Sequence, residues 1–145
     1  MNSLETKLKH NDLTEKIIGV FFDVYNQLGH GFLESIYEEA LNSALKQSGL
    51  TVARQVPVAV WFLGQQIGDF RADLVVDDLV LLKLKAARSI ELAFEKQLLN
   101  YLRATEIEVG LLLNFVNKPE FRRLAFRNER KKIRVNPRAS AAGAL

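Results

Sequence analysis

The sequence contains no cysteine and only two histidines, His10 and His30, among its 145 residues. It can therefore form no disulfide, no Cys/His zinc site and no thiol nucleophile. It also lacks an apolar run near the ~18 residues that a membrane-crossing helix requires, and its charged beginning lacks the apolar core of a signal peptide. We therefore expect a cytoplasmic protein without a membrane segment, whose chemistry would use carboxylates, Lys, Arg, Tyr, Ser or a hard metal ion.

The composition is that of an ordinary globular domain, with 48% hydrophobic and 26% charged residues. A chain of this length has room for one domain around one core. We predict a single domain over residues 1–138. The closing sequence ASAAGAL is of low complexity, so we predict a disordered tail over 139–145.

Positive charge is concentrated near the carboxyl-terminal end. Between Phe121 and Arg138, eight basic residues stand against Glu129 alone, a net charge of +7 that leaves −4 for the rest of the chain. We predict that this segment contacts the phosphates of nucleic acid, although a solvated edge strand and tail would carry the same charge. The predicted phosphate-binding residues are Arg122, Arg123, Arg127, Arg130, Lys131, Lys132 and Arg134.

The apolar residues change their period along the chain, which indicates both helices and strands. The predicted elements are helices at 13–28, 33–49 and 90–105, a three-stranded meander from 52 to 85 with turns at 64–66 and 77–78, a buried strand at 108–115, and edge strands at 124–126 and 133–135. Since one helix crosses over between two strands, we predict an α/β fold with a central mixed sheet flanked by helices.

The second and third predicted strands carry polar side chains on one face. Alternation places Asp73 on one strand opposite Lys83 and Lys85 on the next, across a tight turn. A cross-strand ion pair on a solvent-facing sheet would explain this pattern without any function.

Two helices carry further polar pairs spaced by one turn. The pairs are Glu34 with Tyr37, directly after a Gly-His-Gly bend, and Gln97 with Tyr101. Each pair alone is ordinary, because an acidic residue in a first helical turn complements the helix dipole and the others suit a boundary position. Their coincidence with Asp73 and Lys85 points to a shared site.

These segments together resemble the GxxExxY family of the PD-(D/E)XK nuclease-like superfamily. Gly31 to Tyr37 reads G-x-x-E-x-x-Y, and the other matching segments are DFRAD at 69–73, QLLNYL at 97–102 and GLLLNF at 110–115. The resemblance extends over roughly residues 13–124. It implies a restriction-endonuclease-like core and Mg²⁺-dependent hydrolysis of nucleic-acid phosphodiesters.

The resemblance also implies roles for individual residues. Glu34 and Asp73 would bind Mg²⁺, Lys85 would be the catalytic lysine, and Gln97 with Tyr101 would support the site as the Q-x-x-x-Y pair. This assignment suits Mg²⁺, which takes oxygen ligands, polarises a phosphate and generates hydroxide.

One position departs from the family pattern. The acidic-x-Lys motif requires a carboxylate two residues before Lys85, and this sequence has Lys83 there. Replacing a carboxylate by an ammonium changes the net charge of the site by two units. Each unit charge contributes an interaction energy on the order of 4 kcal/mol at ~4 Å and an effective dielectric near 20. Either Glu95, or less suitably Asp69, substitutes for the missing ligand, or Lys83 pairs with Asp73 or Glu34 and takes the place of the metal.

Three functions follow from these observations. The first is an Mg²⁺-dependent nuclease, with DNA favoured over RNA as its substrate. The second is a degenerate member of the same fold, without a cofactor, that binds nucleic acid or a protein partner. The third is an interaction module that docks another protein through exposed Trp61 and Phe62 and its basic tail. A homo-oligomer is compatible with each.

Overall fold

The computed structural model describes residues 9–132. Over these residues the chain forms α1 (Asn11–Leu28), α2 (Glu34–Gln47), β1 (Val52–Phe62), β2 (Gln65–Val76), β3 (Val80–Lys85), α3 (Leu92–Ala104), β4 (Val109–Asn114), β5 (Glu120–Ala125) and a 3-10 turn (Asn128–Arg130). The predicted edge strand at 133–135, Arg134 and the predicted tail at 139–145 lie outside the described residues.

The five strands form one sheet in the order β1-β2-β3-β4-β5. Neighbouring strands are antiparallel except β3 and β4, which are parallel. Helix α3 connects these two strands, as a parallel pair requires a crossover. The predicted α/β architecture with a mixed sheet and helical layers is confirmed.

Helices cover both faces of the sheet. The first face packs against α1 and α2 and includes Val80, Leu82 and Leu84 of β3. The opposite face packs against α3 and includes Leu81. All six residues of β4 are buried, because the strand is covered on both sides. This double coverage explains the nearly continuous apolar run in that part of the sequence.

Helix α3 approaches the sheet closely at Gly110. A Cβ atom at this position would lie 2.9 Å from Leu98 Cδ1 and 3.3 Å from the Leu81 carbonyl oxygen. The absence of a side chain at Gly110 therefore fixes how near α3 lies to β3 and β4.

Both hairpins of the meander turn through two residues with positive φ. These are Leu63 and Gly64, with φ of 49° and 81°, and Asp77 and Asp78, with φ of 51° and 57°. Positive φ at both central residues is the type I′ conformation, whose twist matches that of the strands it joins. The first turn lies one residue earlier than predicted, so β2 begins at Gln65.

The buried face of α2 is narrower than predicted. Tyr37, Leu41 and Leu45 are fully buried, whereas Leu33 and Ile36 are 75% and 45% exposed. Leu33 precedes the first helical residue and has an extended backbone, so it does not share the orientation of the packed residues.

Helix α3 begins two residues later than predicted, at Leu92, with Glu91 at its N-cap position instead of Ser89. None of the helices within residues 9–132 has the length and apolar character needed to cross a membrane.

Candidate functional site

Strands β2 and β3 separate at the point where the predicted site begins. Their ladder covers three residue pairs and ends at Leu74↔Leu82, while β2 continues its pairing with β1. Asp73 is the first residue beyond this ladder, and its Oδ2 accepts a hydrogen bond of 2.8 Å from the Leu84 amide. Because the backbones of β2 and β3 no longer pair at this point, the Asp73 carboxylate provides the acceptor that the buried Leu84 amide requires.

Lys83 forms an ion pair with the same carboxylate. Its Nζ lies 3.6 Å from Asp73 Oδ2, and the two side chains are only 15% and 16% exposed. At this distance and an effective dielectric near 20, the attraction is on the order of 5 kcal/mol before the cost of removing both charges from water is subtracted. The charge of Asp73 is therefore balanced within the protein.

Aromatic rings border both lysines on the α3 side of the sheet. Lys83 Nζ lies 5.7 Å from the centre of the Tyr101 ring, and Lys85 Nζ lies 4.5 Å from that of Phe94. Tyr101 in turn stacks on Phe70 of β2, with ring centres 3.8 Å apart and an interplanar angle of 12°. Neither Phe70 nor Phe94 was predicted to lie at the site, although Phe94 precedes Tyr101 by seven residues and so shares its helix face.

Gln97 and Tyr101, the predicted supporting pair, are half-buried on α3. Neither side chain makes a hydrogen bond to any residue within 9–132. Tyr101 contacts its neighbours through its ring, and this places it beside Lys83 and hence near Asp73. No contact in this range connects Gln97 to Asp73.

The other predicted acidic residues do not contact Asp73. Glu34 is the exposed first residue of α2, Glu95 is half-buried in the first turn of α3, and Asp69 is exposed on β2 opposite Ala59. Across residues 9–132, no three His, Cys, Asp or Glu side chains lie close enough together to bind one metal ion.

These residues do not fit a bound Mg²⁺ ion. Mg²⁺ requires oxygen ligands in near-octahedral geometry, usually including carboxylates that it can share with substrate phosphates. Here one carboxylate, Asp73, already accepts a backbone hydrogen bond and faces Lys83, and Lys85 adds a second ammonium to the same side of β3. The arrangement can hold an anion near Lys85, or simply stabilise the separation of the two strands.

The family model described as the PD-(D/E)XK nuclease superfamily matches residues 11–124, most of the chain. The chain belongs to the PD-(D/E)XK nuclease superfamily. The order of α1 to β4 and the mixed sheet agree with the restriction-endonuclease-like fold of this superfamily.

One solved structure has a fold similar to that of this chain. The crystal structure of SSO0001 is similar with a TM-score of 0.51 and 19% sequence identity, covering 83% of this chain and 61% of that one. The chain thus corresponds to less than two thirds of that protein, and the similarity concerns the fold. No curated protein matches the sequence at a significant level.

The basic segment of the PD-(D/E)XK domain divides into residues whose side chains bond within the domain and residues whose side chains remain accessible. Arg122, Arg130 and Lys132 are exposed, and Arg127 is half-buried without a side-chain hydrogen bond to residues 9–132. Among residues 9–132, the Arg122 side chain bonds only to the adjacent Phe121 carbonyl, and Arg130 lies over the Phe126 ring. We refer to Arg122, Arg127, Arg130 and Lys132 as the basic surface.

Arg123 and Lys131 correct the prediction that the whole segment contacts phosphate. Arg123 donates hydrogen bonds to the Lys9 carbonyl and to Thr14 Oγ1, and burial lowers the pKa of its guanidinium. Lys131 is 8% exposed and donates to the carbonyls of Thr105 and Ile107 at 2.8 and 2.7 Å. Arg123 thus holds the start of α1 against β5, and Lys131 holds the residues after β5 against the loop between α3 and β4, so we do not include either residue in the basic surface.

Proposed function

We propose that this PD-(D/E)XK domain binds DNA and does not cleave it, because Lys83 takes the place of the metal ion that the superfamily uses. The observation that carries this proposal is the ion pair of 3.6 Å between Lys83 and Asp73. We also propose that the chain belongs to the GxxExxY family and that the protein is cytoplasmic.

The charge balance supports loss of the metal site. A carboxylate at position 83 would add a ligand, whereas the ammonium adds repulsion, and each unit charge at ~4 Å is worth on the order of 4 kcal/mol at an effective dielectric near 20. A site that binds Mg²⁺ with a millimolar dissociation constant gains only about 4 kcal/mol in total. Lys83 is therefore sufficient to remove ordinary Mg²⁺ affinity.

The basic surface supports DNA as the partner. Its four cations project from β5 and the residues after it, and within residues 9–132 none of them forms an ion pair. Neutralising about four phosphates predicts that affinity falls roughly 100-fold between ~50 and ~200 mM salt.

Binding of a labelled duplex, measured by fluorescence anisotropy at several salt concentrations, tests this proposal. The test variant changes Arg122, Arg130 and Lys132 to Glu, and the matched control changes the exposed helix residues Lys16, Lys46 and Lys96 to Glu. We expect the test variant to lose binding, while the control, with the same change in net charge, retains most of it. Equal loss in both variants would show non-specific attraction and contradict the proposal.

A protein-interaction module is the second candidate, favoured by the apolar tip of the β1–β2 hairpin. Phe62, Leu63 and Ile67 are 53%, 86% and 63% exposed, whereas Trp61 is half-buried and is not the exposed anchor we expected. Sedimentation of the protein over a range of concentrations tests self-association through this tip. Dimers of the natural protein that are absent in Leu63→Asp would favour this candidate. A natural protein that is monomeric at all concentrations would contradict self-association through this tip.

A further inference from the structure

We propose that a cleft between three loops, distinct from the Asp73–Lys83 pair, binds a nucleoside monophosphate, either free or at the end of a DNA strand. The cleft has a volume of about 620 Å³ and is lined by residues 30–32, 86–88 and 115–117. We call it the loop cleft. The strand-end form of the proposal rests on the proposed DNA binding; the free-nucleotide form does not.

The position of the loop cleft in the sheet favours ligand binding. The segments 86–88 and 115–117 directly follow β3 and β4, so they lie at the carboxyl ends of the two parallel strands. Ligands of α/β proteins bind preferentially outside the carboxyl ends of such strands. The volume also lies in the ordinary range for small-molecule sites, ~300–1,000 Å³.

Each of the three loops is held in place by a side chain from a helix or strand. Tyr37 Oη donates to the Gly29 carbonyl at 2.6 Å and accepts from the Phe32 amide at 3.2 Å. The Asn114 amide forms two hydrogen bonds of 2.9 Å with the backbone of Ala87.

Tyr25 holds the third loop, by donating to the Asn117 carbonyl at 2.9 Å. Tyr37 and Asn114 are themselves fully buried, and the Tyr37 ring stacks on Phe115 with centres 4.1 Å apart. The walls of the loop cleft are therefore positioned before any ligand arrives, which lowers the entropic cost of binding.

The chemistry of the lining suits a phosphate joined to a flat ring. Of the residues that the structure describes, no Asp or Glu lines the cleft, while Arg88 and His30 both do. Neither side chain forms an ion pair or hydrogen bond within residues 9–132. A guanidinium without a carboxylate partner is a good bidentate donor to phosphate.

Phe32 supplies a surface for the base. Its side chain is 46% exposed at the cleft, and its ring is fixed at 83° to the Tyr37 ring with centres 5.9 Å apart. Bases stack on exposed aromatic rings with little dependence on sequence. Together, Arg88 and Phe32 can recognise the two parts of a nucleotide.

The loop cleft adjoins the predicted site along β3. Ala86, which lines the cleft, directly follows Lys85, and the Lys85 carbonyl accepts a hydrogen bond of 2.8 Å from the Phe115 amide. A strand whose terminal nucleotide occupies the cleft would thus begin beside the Lys85 end of the sheet.

Calorimetric titration of the full chain with thymidine 5′-monophosphate, thymidine and inorganic phosphate tests the proposal. We expect the monophosphate to bind at least about tenfold more tightly than either part, because it alone contacts both Arg88 and Phe32. Arg88→Gln should weaken it by about tenfold or more. The matched control is Arg103→Gln, in the last turn of α3 at the other end of the sheet, and should change the affinity by less than about twofold.

Equal effects of Arg88→Gln and Arg103→Gln, with unchanged circular dichroism, would overturn the proposal. So would nuclear magnetic resonance shifts on titration that fall mainly outside the three loops that line the cleft. Backbone shifts confined to the three loops would support it.

A short single strand with and without a terminal phosphate distinguishes the two sources of the ligand. Preference for the phosphorylated strand that depends on Arg88 supports the strand-end form, and Arg88-dependent binding of the free monophosphate alone supports the free form. The variant of the basic surface should lose duplex binding and still bind the monophosphate. That result would show that the loop cleft and the basic surface bind their ligands independently. A cleft that binds neither ligand overturns the inference and leaves that surface untouched.

Discussion

Changing Lys83 to Glu replaces the cation that pairs with Asp73 by a carboxylate. In the natural protein, the Lys83 ammonium lies 3.6 Å from Asp73 Oδ2 in a setting where both side chains are largely buried. In Lys83→Glu, two carboxylates would occupy this site without a counterion except Lys85. Like charges at this separation oppose folding, and breaking a buried pair in this way costs about 3–5 kcal/mol.

A divalent cation should relieve that repulsion. The substitution changes the net charge of the site by two units, and each unit charge at ~4 Å is worth on the order of 4 kcal/mol. This electrostatic energy exceeds the binding free energy of about 4 kcal/mol that corresponds to a millimolar dissociation constant. We therefore expect Lys83→Glu to bind Mn²⁺ or Mg²⁺ with a dissociation constant near or below ~1 mM. At a hundredfold excess over that constant, the metal would stabilise the variant by about 2.7 kcal/mol.

Thermal denaturation with and without Mn²⁺, together with calorimetric titration, measures both effects. Lys83→Gln serves as the matched control, because it removes the cation without adding a ligand. We expect the melting temperature to rise with Mn²⁺ in Lys83→Glu, to rise little in Lys83→Gln and to stay constant in the natural protein. A metal-dependent rise in the natural protein, abolished by Asp73→Ala, would refute the reasoning.

Three further predictions concern stability. Gly110→Ala should lower the free energy of unfolding by about 1–3 kcal/mol, since the added Cβ would press on Leu98. Gly19→Ala in helix α1, where the space around the added Cβ is open, should raise the free energy of unfolding by about 0.5–1 kcal/mol. Urea denaturation of both variants measures these changes. Tyr37→Phe should cost about 1–3 kcal/mol by removing two hydrogen bonds to the α1–α2 loop, with faster amide exchange there; unchanged exchange would contradict it. Burial opposes ionisation of Glu108, but hydrogen bonds from the Lys9 ammonium and a backbone amide outweigh this effect and lower the pKa of Glu108 below 4.5. The contribution of the Glu108 carboxylate to stability is therefore present above that pH and is lost as the pH falls through the folded-state pKa. Glu108→Gln should be less stable than the natural protein at neutral pH and approach its stability in acid, and a stability difference that stays constant with pH would contradict this.

Much of the fold follows from periodicity in the sequence. The alternation that placed Lys83 and Lys85 on one face of β3 and Leu82 and Leu84 on the other agrees with the structure, because a strand covered on both faces still alternates strictly. The parallel pairing of β3 and β4 was predictable as well, since a helix separates them in the sequence.

The surroundings of the candidate site were less predictable, because they depend on contacts between distant segments. A count of charges treats Arg123 and Lys131 like the other basic residues, yet both donate hydrogen bonds to backbone carbonyls of distant segments. Helical spacing placed Gln97 and Tyr101 on one face of α3, but it carries no information about Phe70, which approaches Tyr101 from β2.

The central claim is that this PD-(D/E)XK domain binds DNA without cleaving it. Incubation of the natural protein with supercoiled plasmid and Mg²⁺ or Mn²⁺, at a salt concentration where binding is observed, tests it most directly. We predict that the plasmid is bound and remains supercoiled. Metal-dependent nicking that is lost in both Asp73→Ala and Lys85→Ala would show that the ion pair of Lys83 and Asp73 does not replace the metal, and would contradict the claim.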